Sequence, residues 1–204
     1  MKRALVLVAI AGLAGAGCAS TVPPPGWQQG GAMLWVPNAA WRAGSMNVDL
    51  LGDGQVVMNG TARFRIDAAG RVMDADGDPV ALLRRDGKLV GNEGEELGTV
   101  GPTTAAVPGA PYASLGILPS GQVVRFEENG SASGGGAWSG CGGYAPSLQA
   151  CTLVTYLVAT RFPPQQTMNR WPNPWGNNNS SWGTPYSPWS APYAPGIGFG
   201  INPW

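Results

Sequence analysis

Glycine returns at positions 60, 70, 77, 87 and 94, in steps of 10, 7, 10 and 7, so that the chain carries an internal period of 17 residues. When residues 70–83 are laid over residues 87–100, Gly70 falls on Gly87 and Gly77 on Gly94. Val72 then meets Leu89, Val80 meets Leu97 and Leu83 meets Val100. Between the glycines stand short apolar runs such as "DGQVVMNG", "TARFRIDAAG" and "RVMDADG". Glycine next to Asp or Asn between β-formers marks a hairpin, because such turns need a residue with positive φ. "GQVVRFEENG" at 121–130 is one more such unit, after a Pro-rich interruption at 102–111. Arg63-Phe64-Arg65-Ile66 alternates as a strand with one wet face does.

The fold expected from this pattern is mainly β: a small antiparallel meander or rolled sheet of Gly-turn hairpin repeats. Too few copies are visible for a long solenoid, because stacked repeats need several neighbours to bury a core. The period breaks at "SLQACTLVTYLVATRF" (147–162). There Ala150, Leu153, Val154, Leu157 and Val158 fit one helical face and Ser147 offers a cap. One short packing helix near 147–162 is expected; the stretch is too short for a membrane span of roughly 20 residues.

Composition narrows the chemistry. The 204-residue chain has no histidine, which removes the commonest general base and metal ligand and every Ser-His or Cys-His pair. All 12 acids lie between Asp49 and Glu128 with seven bases, giving that segment a charge of 7 − 12 = −5. Such a segment does not attract nucleic-acid phosphates. "DADGDP" (74–79) fails as an EF-hand loop because Gly is fourth and position 12 is Arg85. It reads as a hairpin turn with acidic corners, and a weak calcium site shared with "NEGEE" (92–96) is the remote alternative. "GSASGGGAWSGCGG" (130–143) lacks the Gly-Lys-Ser/Thr ending of a phosphate loop. No catalytic residue, metal site or cofactor is assigned, and the expectation is a non-enzyme.

The first residues point elsewhere. Met1-Lys2-Arg3 is a basic start, "ALVLVAIAGLAGA" (4–16) has the length of a signal-peptide apolar region, and small residues lead into Cys18. This arrangement resembles the bacterial lipoprotein signal peptide. In that class a lipobox ends in a Cys that is lipidated on its sulfur, with acyl chains such as palmitate, and the chain is cut just before it. Gly15-Ala16-Gly17-Cys18 occupies the lipobox, with Gly15 where Leu is usual. The resemblance implies lipidation at Cys18 and anchoring in a bilayer. Ala19 and Ser20 in place of Asp imply the outer membrane, on its periplasmic or its surface side. With Cys18 assigned to lipid, Cys141 and Cys151 remain as an even pair with nine residues between them. They are expected to form a disulfide in an oxidising periplasm, stabilising by roughly 2–3 kcal/mol.

The expected organisation is a signal peptide at 1–17, a lipidated Cys and Pro/Gly tether at 18–45, a β-rich domain at 46–162 and a disordered tail at 163–204. In the tether, Trp27, Trp35 and Trp41 are expected to dock on the domain or to sit at the lipid interface. The tail holds nine Pro, five Trp and six Asn with Arg170 as its single charge. Pro at this density pairs strands poorly and breaks helices. Trp171, Trp175, Trp182 and Trp189, spaced by 4, 7 and 7, are its candidate contact residues, for a partner, for envelope polysaccharide or for its own domain. The function expected is a membrane-anchored envelope lipoprotein with a structural or interaction role. The alternative is a glycan-binding or adhesin-like module acting through the tail.

Overall fold

The computed structural model describes residues 21–127 and 129–161. Cys18, the segment expected to be a signal peptide (1–17) and the Trp-rich tail lie outside them. Twelve strands follow in order: β1 (Ala39–Ala43), β2 (Met46–Leu50), β3 (Gln55–Met58), β4 (Thr61–Ile66), β5 (Arg71–Asp74), β6 (Pro79–Leu83), β7 (Lys88–Gly91), β8 (Glu96–Val100), β9 (Thr104–Ala106), β10 (Leu115–Ile117), β11 (Gln122–Phe126) and β12 (Ala132–Ser139). A single helix, α1 (Ala145–Thr160), follows them. Each strand pairs antiparallel with the next, and β1 pairs with β12, so the meander closes into a barrel. Closure removes the exposed edges that an open sheet would carry.

The local code is a repeated turn. In seven hairpins the glycine N–H donates to the carbonyl three residues earlier: Gly54 to Leu51, Gly70 to Asp67, Gly77 to Asp74, Gly87 to Arg84, Gly94 to Gly91, Gly121 to Leu118 and Gly130 to Glu127. The first residue of each turn in addition donates to the residue just past the glycine, as Asp67 does to Arg71 at 3.0 Å. All seven glycines have positive φ, between 74° and 92°. This is the three-residue loop of a type I turn closed by a glycine in the left-handed region. The 17-residue period is therefore two strands long, and glycines one period apart sit at the same end of the barrel.

The two ends differ. At one end, the turns at Gly60 and Gly77 stand free, with nothing within 4 Å of an added Cβ. At the other, a Cβ on Gly54 would lie 1.8 Å from the Ile66 carbonyl oxygen, and one on Gly121 would lie 2.2 Å from that of Trp138. Here the glycine carbonyls also accept from the end of the strand two places on. Ile66 donates to Gly54 at 2.9 Å, Leu83 to Gly70 at 2.8 Å, Val100 to Gly87 at 2.7 Å and Trp138 to Gly121 at 2.8 Å.

Every strand sends at least one buried side chain into a single core, from Trp41 on β1 to Trp138 on β12, whose rings stack with centroids 5.9 Å apart. Helix α1 shares this core. Residues Ala150 to Val158 are all buried, on every face of the helix rather than on one stripe. A helix apolar all round must be surrounded, and α1 runs inside the barrel. A closed sheet of eleven strands already holds a central helix; eight would be filled by side chains alone. Burying Leu153 and Leu157, both fully enclosed, contributes about 1.5–3 kcal/mol each. Polar groups in the lumen are paired. Trp138 Nε1 donates to Thr155 Oγ1 at 2.8 Å, Tyr156 Oη donates to the Leu97 carbonyl, and Thr152 Oγ1 donates to the Pro102 carbonyl at 2.9 Å. Tyr156 fits because its neighbour on β8 is Gly98, where a Cβ would lie 2.3 Å from the phenol oxygen.

Several expectations change in detail. The helix spans 145–160 rather than 147–162, and Ser147 does not cap it. Tyr144 is the capping residue, without a side-chain bond, and the Ser147 hydroxyl instead donates to the Cys141 carbonyl within the connection from β12. The interruption at 102–111 contains strand β9. Residues 39–43, in the stretch read as tether, form β1, and Trp41 is fully buried with its Nε1 donating to the Gly135 carbonyl at 2.7 Å. Residues from Pro24 to Asn38 also run against the barrel, with Pro24, Gly31, Ala32, Leu34 and Pro37 buried.

Candidate functional site

In many barrels a ligand occupies the lumen; here α1 fills it, so the surfaces open to other molecules are the two ends and the wall. Their chemistry follows from which turns reach which end. One end carries the turns β1–β2, β3–β4, β5–β6, β7–β8, β9–β10 and β11–β12. On or beside these turns lie Asp74, Asp76, Asp78, Glu93, Glu95, Glu96 and Glu127. The opposite end carries the bases Arg65, Arg71, Arg84, Arg85 and Lys88 together with the acids Asp53, Asp67 and Asp86, so the first end is the acidic one.

Four of these acids are engaged in turn formation or surface ion pairs. Asp74 Oδ1 accepts from the Asp76 and Asp78 amides at 3.0 and 2.9 Å, and Glu95 accepts from the Glu93 amide at 3.0 Å. Glu96 pairs with Lys88 at 3.0 Å and Glu127 with Arg125 at 3.1 Å. The turns holding "DADGDP" and "NEGEE" are neighbours, joined by a bond from Asn92 Nδ2 to the Pro79 carbonyl at 3.0 Å. Among the described residues no three His, Cys, Asp or Glu side chains converge as metal ligands would. The Asp74 and Glu95 carboxylates hold their own turns.

The opposite end is closed by the chain itself. Residues 25–31 run along the wall from the acidic end, where Pro25 Cγ lies 3.3 Å from the Cβ position of Gly94, to the far end. On the way they cover Leu82, buried although it faces out from the barrel. Arg71 holds this strap: Nε donates to the Trp27 carbonyl at 2.8 Å, Nη2 to the Gln28 carbonyl at 3.1 Å, and the guanidinium lies over the Trp27 ring. Residues 32–36 then cross the mouth of the barrel. Ala32 donates to the Leu83 carbonyl, Leu34 to Ala68 and Trp35 to Pro146. Ala32 and Leu34 point into the core, whereas Met33 and Trp35 point outward, 81% and 64% exposed. Of the tryptophans expected to dock, Trp27 docks, Trp41 is a core residue and Trp35 faces solvent.

Cys141 and Cys151 are joined in a disulfide whose residues are both buried at this closed end. It ties the exit of β12 to the second turn of α1. Helix α1 enters the lumen here and leaves at the acidic end, where Arg161 is exposed. The described chain therefore arrives and departs at the same, acidic end. The paired tryptophans, Thr155 and Tyr156 were not signalled by any motif. The one available sign was the absence of charge from residue 145 to 160. The candidate contact residues Trp171, Trp175, Trp182 and Trp189 and the expected lipidation residue Cys18 lie outside the described residues.

Comparison with protein-family models, with curated proteins and with solved structures returns no match.

Proposed function

We propose that this chain is an envelope lipoprotein, anchored in the outer membrane through lipid on Cys18, with a structural or interaction role and no catalytic one. The observation that carries the reading is the Cys141–Cys151 disulfide, which accounts for two of the three cysteines and leaves Cys18 as the odd one. A buried disulfide suits an exported protein, and an unmatched cysteine behind a signal-like segment calls for its own explanation. The geometry of entry agrees. Pro25, at the acidic end, is seven residue steps from Cys18, a span of at most about 25 Å, so an anchored barrel stands on the membrane by that end. A structural role accords with a lumen taken up by protein.

The test is the intact mass of the protein extracted from membranes, beside a Cys18→Ala variant. A mature chain beginning at Cys18 with added acyl mass, lost in the variant, is the expected result. A chain cut elsewhere, or one with an unmodified Cys18, overturns the reading.

A further inference from the structure

The chain contains five Asx-Gly dipeptides, and one of them stands in a different turn from the rest. Asp53-Gly54, Asp76-Gly77, Asp86-Gly87 and Asn129-Gly130 each end a three-residue turn, in which the glycine N–H donates to a carbonyl at 2.8, 3.3, 3.0 and 2.9 Å respectively. Asn59-Gly60 instead makes the two-residue turn between the paired Met58 and Thr61. Its φ angles, 49° and 81°, are both positive, the mark of a type I′ turn. Asn59 is the one non-glycine residue with positive φ among the described residues. The Gly60 N–H donates to nothing among the described residues. Both residues are exposed, with nothing within 4 Å of a Cβ placed on Gly60. The Asn59 side chain is nonetheless fixed. Its Oδ1 accepts from the Asn47 N–H at 2.8 Å, beside the bond from the Asn59 N–H to the Asn47 carbonyl.

We infer that Asn59 is a site of spontaneous deamidation, its side-chain amide lost to water through a succinimide. Water or hydroxide removes the Gly60 amide proton, and the nitrogen attacks Cγ of Asn59. The N–Cγ bond forms, the Cγ–Nδ2 bond breaks, and Nδ2 takes up a proton and leaves as ammonia. Water then opens the five-membered ring at either carbonyl, leaving Asp or its isoaspartyl isomer; the sum is one water consumed and one ammonia released. Three features of the site promote these steps. The attacking nitrogen has no hydrogen bond to give up. The Asn47 N–H lies where negative charge develops on Oδ1 and stabilises it as an oxyanion-hole donor does. Ring closure turns over the Asn59–Gly60 peptide, which takes a type I′ turn towards type II′. Both types keep a positive φ at the first central residue and both join antiparallel strands, so no strand has to move. Asn129 has more donors on its Oδ1, the Ser131 N–H at 2.8 Å and hydroxyl at 2.6 Å. There, however, the turnover breaks the bond from Gly130 to the Glu127 carbonyl. That bond decides between the sites, because the nitrogen must be freed before any charge forms on Oδ1. Deamidation at Asn59 adds a carboxylate to the acidic end, and the isoaspartyl product inserts a methylene into the backbone of a two-residue turn. The inference stands without lipidation at Cys18.

Peptide mapping by mass spectrometry tests it, on the folded full chain aged in mildly alkaline buffer made with heavy-oxygen water, which labels each new carboxylate. Conversion at Asn59 should run at least about threefold faster than at Asn129, the factor set by one backbone hydrogen bond, with isoaspartate among the products. The same chain held unfolded in urea should convert the two sites at equal rates, since both are Asn-Gly followed by a hydroxyl residue, Thr61 or Ser131. Equal or reversed rates in the folded chain overturn the proposal. So does a preference for Asn59 that persists undiminished in urea, which would trace it to the neighbouring sequence and not to the turn.

Discussion

The disulfide offers the most quantitative test of how the fold is held. It closes a loop with a sequence separation of 10. Chain-entropy loss for a loop of that size is about 9 cal/mol/K, or ~2.7 kcal/mol at 25 °C. For a domain of this size a loss of 1 kcal/mol lowers the melting point by about 3–4 °C, so removal of the bridge should lower it by roughly 8–10 °C. The variant to use is Cys141→Ala/Cys151→Ala in a Cys18→Ala background, so that no third thiol can exchange. Melting is followed by far-ultraviolet circular dichroism, with urea unfolding in parallel. The urea slope should rise in the variant, because the uncrosslinked unfolded chain exposes more surface. A fall below about 3 °C would refute the reasoning by showing that residues 141–151 stay compact when unfolded. A fall far beyond about 15 °C would refute it the other way: the bridge would then be holding α1 in the lumen by native contacts, not by chain entropy.

Other expectations follow from the same geometry. Gly60→Ala should cost about 1–2 kcal/mol, the strain of a positive φ, whereas Gly121→Ala should cost clearly more, since its Cβ would meet the Trp138 carbonyl at 2.2 Å; urea titration of both variants separates strain from collision. Leu157→Ala should destabilise by about 2–5 kcal/mol through cavity formation in the lumen, read by the same titration. Burial raises the Tyr156 phenol above its ordinary value, with Arg161 and Thr160 acting in the opposite direction. Because the folded value is the higher one, this contribution is intact below about pH 10 and lost as pH rises through the folded value. Tyr156→Phe should remove that part of the alkaline decline while costing about 1–3 kcal/mol at neutral pH through the unpaired Leu97 carbonyl. Arg71→Met should speed amide exchange over residues 27–31 without disturbing the barrel, as the strap loses two bonds and its contact with the Trp27 ring; unchanged exchange would show that burial of Leu82 alone secures it.

The sequence exposes the parts of this fold that are local. The turns at Gly70, Gly77, Gly87 and Gly94 were readable because a type I turn with a following left-handed glycine is specified within five residues. The mainly β class follows from them, and so does the short helix. Closure was not readable, because β1 and β12 pair across nearly the whole domain, Trp41 with Trp138. The five residues of β1, "AAWRA", follow Pro37-Asn38 and precede Gly44, and three alanines in five carry little of the β-branched signal that marks a strand. Burial of α1 on every side was legible only in part. The apolar face at Leu153, Val154 and Leu157 marks the helix, but nothing in the sequence shows that Thr152, Thr155 and Tyr156 on its other sides are enclosed too. Their hydroxyls bond to carbonyls and to the Trp138 indole inside the barrel. Gly98 gave no sequence sign of the role it plays, since its requirement comes from Tyr156, 58 positions later.

That α1 enters the lumen at one end and leaves at the other constrains the order of assembly. Beyond the helix lie 44 more residues, 161–204, which would have to be threaded through a finished ring. Threading of that kind is avoided in natural chains, so the sheet must wrap around the helix, with the β1–β12 seam sealed last. The first strand to be made therefore waits for the last element of the domain, and the open sheet exposes both its edges in the interval. Folding limited by so distant a contact is expected to be slow, in the millisecond-to-second range, and the seam is where a second molecule could insert. In this sense α1 is a mandrel on which the barrel is wound.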